Sequence, residues 1–184
     1  MRYVALLRGI NVGGHRKVPM AELREVFVGQ GCSEVTTYIQ SGNVVFSSKV
    51  TDASKLEKQL AAAIAKEFGF EVPTLVRTRE ELAAAIAGNP YATGMADLKT
   101  LHLLFLERRP SHEVLQRIDS SYGRPDEFAI AGTHVYLKIG AGVATTKLTN
   151  AYFDSRLRMV TTARNWRTVL HLFELLGESK AWTC

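Results

Sequence analysis

Two rhythms of apolar and polar positions alternate along the chain, and the switches between them mark its elements. Residues 2–8, RYVALLR, predict a strand, apolar on both faces. Pro19 then opens a helix at a position where its missing N–H costs nothing, with Met20, Leu23, Val26 and Phe27 as one stripe and Gly31 as its end. Residues 34–40, EVTTYIQ, alternate and are rich in β-branched side chains. The turn at 41–43, SGN, leads into NVVFSS at 43–48, which predicts a hairpin. Thr51 or Asp52 caps a long helix with Leu56, Leu60, Ile64 and Phe68 four apart, closed by Gly69. A fourth strand, EVPTLVR at 71–77, carries Pro73, which suits a sheet edge.

This order, β-α-β-β-α-β, is the split βαβ or ferredoxin-like arrangement. The second half opens with a capping box, Thr78-x-x-Glu81, and a short helix bearing Leu82 and Ile86, stopped by Asn89-Pro90. LHLLFLE at 101–107 predicts a central strand, and Ser111 caps a helix with Leu115 and Ile118. Strands at 127–131 and 134–139 join through Gly132-Thr133. A short helix follows near 149–157, then a last helix from about 163 with Trp166, Val169, Leu170 and Phe173 as its stripe. The expectation is an α+β protein: a ferredoxin-like subdomain over 1–77, and over 78–184 a degenerate second copy that lacks a clear fourth strand.

Topology brings two loops together. In a split βαβ unit the loop after the first strand and the turn between the second and third strands lie at the same end of the sheet. Here they gather Arg8, Asn11, Gly13, Gly14, Arg16, Lys17, Gln40, Ser41 and Asn43, with no acidic member. Glycines let backbone N–H groups converge, and a following helix N-terminus adds partial positive charge, so an anion is the natural guest. The alternative is a β-to-α turn whose glycines satisfy dihedral angles and whose basic residues face water. Gly9 and Gly14 have phosphate-loop spacing, but His15-Arg16 follows where Lys-Ser/Thr is required.

Charge supports the same end of the molecule. The net charge is +5, and residues 1–50 and 142–184 each contribute +3, against −1 for 51–100 and zero for 101–141. A fold that joined the two termini would present one basic surface. Arg164 and Asn165 are candidate additions to the site: a cation in the first turn of a helix opposes the dipole, so it wants a bound anion or a carboxylate such as Asp154.

Other chemistries find less support. The histidines (His15, His102, His112, His134 and His171) have no ligand spacing, so no metal site is expected, and no motif calls for a cofactor. Cys32 has no evident activating neighbour, and the second cysteine is Cys184. Glu80-Glu81 and Asp126-Glu127 stand at element starts, where capping and solvation explain them. No stretch approaches a membrane span or a signal peptide, so a cytoplasmic location without membrane partners is expected. RNA-binding modules share the topology, but their third strand needs stacking aromatics. Here Asn43 and Val45 take those positions and only Phe46 is aromatic.

LLRGINVGG, TYIQSGNVVF at 37–46 and TTARNWRTV at 161–169 together resemble an uncharacterised bacterial family, the domain-of-unknown-function family 1697. The resemblance spans essentially the whole chain. It implies a two-part α/β fold and carries no established activity. The expected function is therefore read from the residues: binding of an anionic small ligand, a phosphorylated metabolite or nucleotide, by Arg8, Asn11, Gly13, Gly14, Lys17, Gln40, Ser41 and Asn43 with Arg164 and Asn165. The alternatives are a nucleic-acid-binding accessory protein using the same basic end, an enzyme of unrecognised mechanism testable at His15 and Cys32, and a protein that acts through a partner. The sequence does not specify oligomeric state.

Overall fold

The computed structural model describes residues 1–94, 97–140 and 142–177; Cys184 lies outside them. Within these residues the chain forms two four-stranded antiparallel sheets and six helices, an α+β fold. The elements are β1 (Arg2–Leu7), α1 (Met20–Gly29), β2 (Ser33–Tyr38), β3 (Asn43–Ser47), α2 (Ala53–Phe68), β4 (Thr74–Thr78) and α3 (Arg79–Ala87). The same series then repeats as β5 (Leu101–Leu106), α4 (His112–Gln116), β6 (Glu127–Ala131), β7 (His134–Lys138), α5 (Asn150–Leu157), β8 (Thr161–Asn165) and α6 (Trp166–Gly177). The sheet orders correspond, β2-β3-β1-β4 and β6-β7-β5-β8.

The second copy is therefore complete, and one expectation is corrected. Residues 161–165 are not the entry of the last helix but the missing fourth strand, paired antiparallel to β5 with Leu103 opposite Arg164. The matching register in the first copy sets Val4 opposite Arg77. Arg164 thus lies in an edge strand, not in the first turn of a helix, and α6 begins only at Trp166.

Contacts divide the chain into two compact units, Met1–Ala83 with the chain from His171 onward, and Ala84–Leu170. The division falls inside α3 and α6. In the first unit Tyr3, Ala5, Leu7, Val44, Phe46 and Val76 of the sheet pack on Leu23 and Phe27 of α1 and Leu56, Leu60 and Ile64 of α2. β1 is the centre of that sheet, and Tyr3 to Leu7 are wholly buried on both faces, as an unbroken apolar strand requires. In the second unit Leu104, Leu106, Val135 and Leu137 pack on Phe153 and Leu157 of α5.

Local chemistry fixes the ends of the elements. Asp52 caps α2 by accepting from the Lys55 N–H at 3.1 Å, and Gly69 closes it in the left-handed region at φ 78°. The expected capping box at α3 forms in both directions: Thr78 N–H donates to Glu81 Oε2 (2.8 Å) and Glu81 N–H to Thr78 Oγ1 (3.2 Å). Pro73 sits just ahead of β4, an edge strand, so its missing donor leaves no gap in a ladder.

Candidate functional site

The end of the first sheet is held by backbone bonds. Leu7 N–H donates to the Gly42 carbonyl at 2.8 Å and Arg8 N–H to the Pro73 carbonyl at 2.9 Å. These place the loop after β1 between the β2–β3 turn and the entry to β4, the juxtaposition expected from topology.

The loop itself is a small hairpin. Asn11 N–H donates to the Arg16 carbonyl and His15 N–H to the Val12 carbonyl, both at 3.1 Å, with Val12 and His15 bridged. Gly13 and Gly14 form its tip at φ 59° and 79°. Positive φ at both central residues is what a two-residue hairpin matched to strand twist demands. The glycines are thus explained by this turn, and the tip projects outward: a Cβ at Gly14 would meet nothing within 4 Å.

The two asparagines are braces. Asn11, itself left-handed at φ 55°, accepts from Val18 N–H at 2.9 Å and donates through Nδ2 to the carbonyls of Val18 and Gln40, each at 3.0 Å. Its amide closes the neck of the hairpin and ties it to the neighbouring turn. Asn43 is fully buried, and its Nδ2 donates to the Tyr38 carbonyl (3.1 Å) and to Ser41 Oγ (3.0 Å).

Around this braced pair of loops, Gly13, Gly14, His15, Arg16, Lys17, Gln40 and Ser41 are exposed and Arg8 is half-buried. The Arg16 guanidinium lies 6.0 Å from the centroid of the Phe70 ring. Two apolar side chains are exposed at the same place, Val12 at 67% and Ile39 at 50%. Ile39 is also left-handed, at φ 50°, a conformation that a β-branched residue adopts only under constraint. Sequence reasoning passed over both residues. The available signal was a β-branched apolar residue set inside each of two polar, glycine-bearing turns.

Arg164 and Asn165 belong to the second unit and have structural duties there. Arg164 is buried, its Nη1 donates to the Ala163 carbonyl at 2.7 Å, and desolvation lowers its pKa to about 10. Arg77 repeats the arrangement in the first unit, donating to the Val76 carbonyl at 2.7 Å and pairing with Glu57 at 3.1 Å. Asn165 Oδ1 accepts from Thr168 N–H at 2.8 Å and so caps α6, as Thr78 caps α3. Asp154 accepts from Thr161 N–H at 2.8 Å.

Of the residues considered for catalysis, Cys32 is buried and burial pushes its thiol pKa up, away from thiolate reactivity. Among the described residues no three of His, Cys, Asp and Glu are grouped to hold a metal ion, and no helix is long and apolar enough to cross a membrane.

The chain is similar in structure to a conserved bacterial protein, SP0830, from Streptococcus pneumoniae, with a TM-score of 0.75 and 28% sequence identity over 95% of this chain and 98% of that one. No functionally curated protein matches it. Residues 1–136 match the family described as a protein of unknown function, DUF1697. That span holds the braced hairpin, the β2–β3 turn and the whole first sheet, and the chain belongs to this family.

Proposed function

We propose that the braced hairpin and the β2–β3 turn bind an anionic, phosphate-bearing small ligand. Arg16 and Lys17 would supply charge together with Arg8. The tip amides of Gly13 and Gly14 and the polar groups of Gln40 and Ser41 would supply donors, and Val12 and Ile39 would touch the ligand's apolar part. Asn11 and Asn43 hold this frame. Arg164 and Asn165 are left out of the reading because their side chains serve the second unit's own strand and helix.

The observation that carries the reading is Ile39. A half-exposed isoleucine in the left-handed region, in a turn pinned to a basic hairpin by Asn11, stores strain of about 1–3 kcal/mol, and such strain concentrates at binding sites. The reading places the protein in a bacterial cytoplasm, in keeping with its bacterial structural neighbour.

Thermal unfolding with inorganic phosphate, nucleotides and sugar phosphates tests it. A ligand at about a hundred times its Kd adds roughly 2.7 kcal/mol. For a chain of this size that raises Tm by about 5–11 °C. The rise is expected to vanish in the double variant Arg16→Ala/Lys17→Ala, whose own Tm stays near wild type because both side chains are exposed. No rise with any phosphate compound sinks the reading.

The same basic end would also suit a nucleic-acid phosphate backbone. Stacking on the first sheet is not available to that alternative, since Asn43 and Val45 on β3 are buried. Binding to short RNA whose affinity falls steeply with salt would favour it over a small ligand.

A further inference from the structure

The internal repeat shows how much loop the fold needs at the end of a sheet. In the second unit the chain passes from β5 to α4 through residues 107–111 and from β6 to β7 through 132–133. The counterparts in the first unit are 8–19 and 39–42, so twelve residues stand where five suffice and four where two suffice. The closing bond is the same in both copies: Leu106 N–H donates to the Thr133 carbonyl at 2.9 Å, as Leu7 N–H does to the Gly42 carbonyl at 2.8 Å. The extra length in the first unit is the hairpin of Val12 to Lys17 and the turn around Ile39.

Loop residues beyond what a scaffold requires are where function concentrates. Among the described residues five large apolar side chains are exposed: Met1, Val12, Val28, Ile39 and Val143. Two of the five lie in these two loops. Val12 and Ile39 are the chain neighbours of Asn11 and Gln40, which are joined by a hydrogen bond of 3.0 Å. Each forgoes burial of its side chain, and Ile39 adds a left-handed backbone at φ 50°.

Charge surrounds this apolar pair. The three loops at this end of the sheet, 8–19, 39–42 and 69–73, contain one acid, Glu71, against Arg8, Arg16 and Lys17. The hairpin projects, since a Cβ at Gly14 would meet nothing within 4 Å, and Asn11 braces its neck. A projecting tip suits a phosphate that is itself presented by a surface. Apolar side chains ringed by cations on a braced hairpin match the boundary of an anionic bilayer, where apolar groups enter below the headgroups and cations meet the phosphates.

We propose that the Val12–Lys17 hairpin and Ile39 dock the protein on the surface of an anionic phospholipid bilayer. Val12 and Ile39 enter the boundary between headgroups and acyl chains. Arg16 and Lys17 pair with lipid phosphates, and Arg8 adds to their charge. A peripheral contact of this kind does not require a membrane-spanning helix. The inference rests on the anion-site reading above and names the bearer of the phosphate.

Co-sedimentation of the full chain with vesicles tests it, with phosphatidylcholine alone set against phosphatidylcholine mixed with phosphatidylglycerol. Thermal unfolding with inorganic phosphate and glycerol phosphate is run in parallel. Binding to the anionic vesicles is expected, and none to phosphatidylcholine alone. Arg16→Ala/Lys17→Ala is expected to lower the partition coefficient about 30-fold, since each cation near such a surface is worth about 1 kcal/mol. Val12→Ser/Ile39→Ser keeps every charge and is expected to lower it about tenfold, or roughly 1.4 kcal/mol. All four side chains are exposed, so both variants keep the wild-type fold, which Tm checks. Equal binding to both vesicle types, or binding that either folded double variant leaves unchanged, overturns the docking surface. A Tm rise with the soluble phosphates and no binding to anionic vesicles also overturns it, and leaves the anion site standing. Silence in both assays removes the anion site and this inference together.

Discussion

Gly42 shows how little freedom the end of the first sheet has. It is buried and left-handed at φ 79°, its carbonyl accepts from Leu7 N–H, and a Cβ placed on it would stand 2.7 Å from Leu7 Cβ and 3.0 Å from Ile10 Cδ1. Leu7 Cβ is rigidly attached to the central strand and cannot swing away, so the turn itself must move. Gly42→Ala is expected to cost about 2–4 kcal/mol, from the left-handed penalty and the clash together. A urea midpoint that does not fall would show that the turn yields easily. Gly14 has the same φ of 79° but open surroundings, so alanine there meets only the dihedral cost. That contrast separates a glycine required by packing from one required by its turn, and sequence spacing alone shows neither.

At the scale of elements, the repeat extends to detail. Each fourth strand has a buried arginine as its penultimate residue, donating to the preceding carbonyl, and ends in a residue that caps the next helix: Arg77 and Thr78, Arg164 and Asn165. Asn165→Ala is expected to cost about 1 kcal/mol by removing the cap, while Asn165→Asp keeps the acceptor and the stability. Equal losses in the two variants, measured by urea unfolding, would contradict the capping role. The first sheet was legible in the sequence because β1, α2 and β3 bury apolar residues at clear strand and helix periods. β8 was not. Thr161, Thr162 and Arg164 are buried although polar, so no hydrophobic alternation announces the strand, and its threonines look like helix caps. The hairpin after β1 was half legible: a Gly-Gly pair fits both a tight turn and a convergent set of N–H donors, and only the Asn11–Arg16 and His15–Val12 bonds distinguish them.

On the scale of the whole molecule, the two repeats are not cut cleanly from the sequence. The last turns of α6 belong to the first unit, where the His171 ring lies 4.3 Å from that of Tyr38 on β2, and Phe173 receives the Arg79 guanidinium at 4.3 Å. The double variant His171→Ala/Phe173→Ala is expected to lose about 1–3 kcal/mol from the aromatic and cation–π contacts. Hydrogen exchange should register that loss along β2 and the start of α3, more than ninety positions earlier in the chain. Protection unchanged there would mean that the segment adds nothing to the first unit.

This return of α6 bears on how the protein emerges from the ribosome. The first sheet and its two helices are complete in sequence by Thr78, yet the ring partners of Tyr38 and Arg79 are still to be translated. The intervening residues 84–170 take roughly 4–17 s at ordinary elongation rates. Through that interval the nascent first unit presents an uncovered tyrosine and arginine, and translation of α6 supplies what closes it.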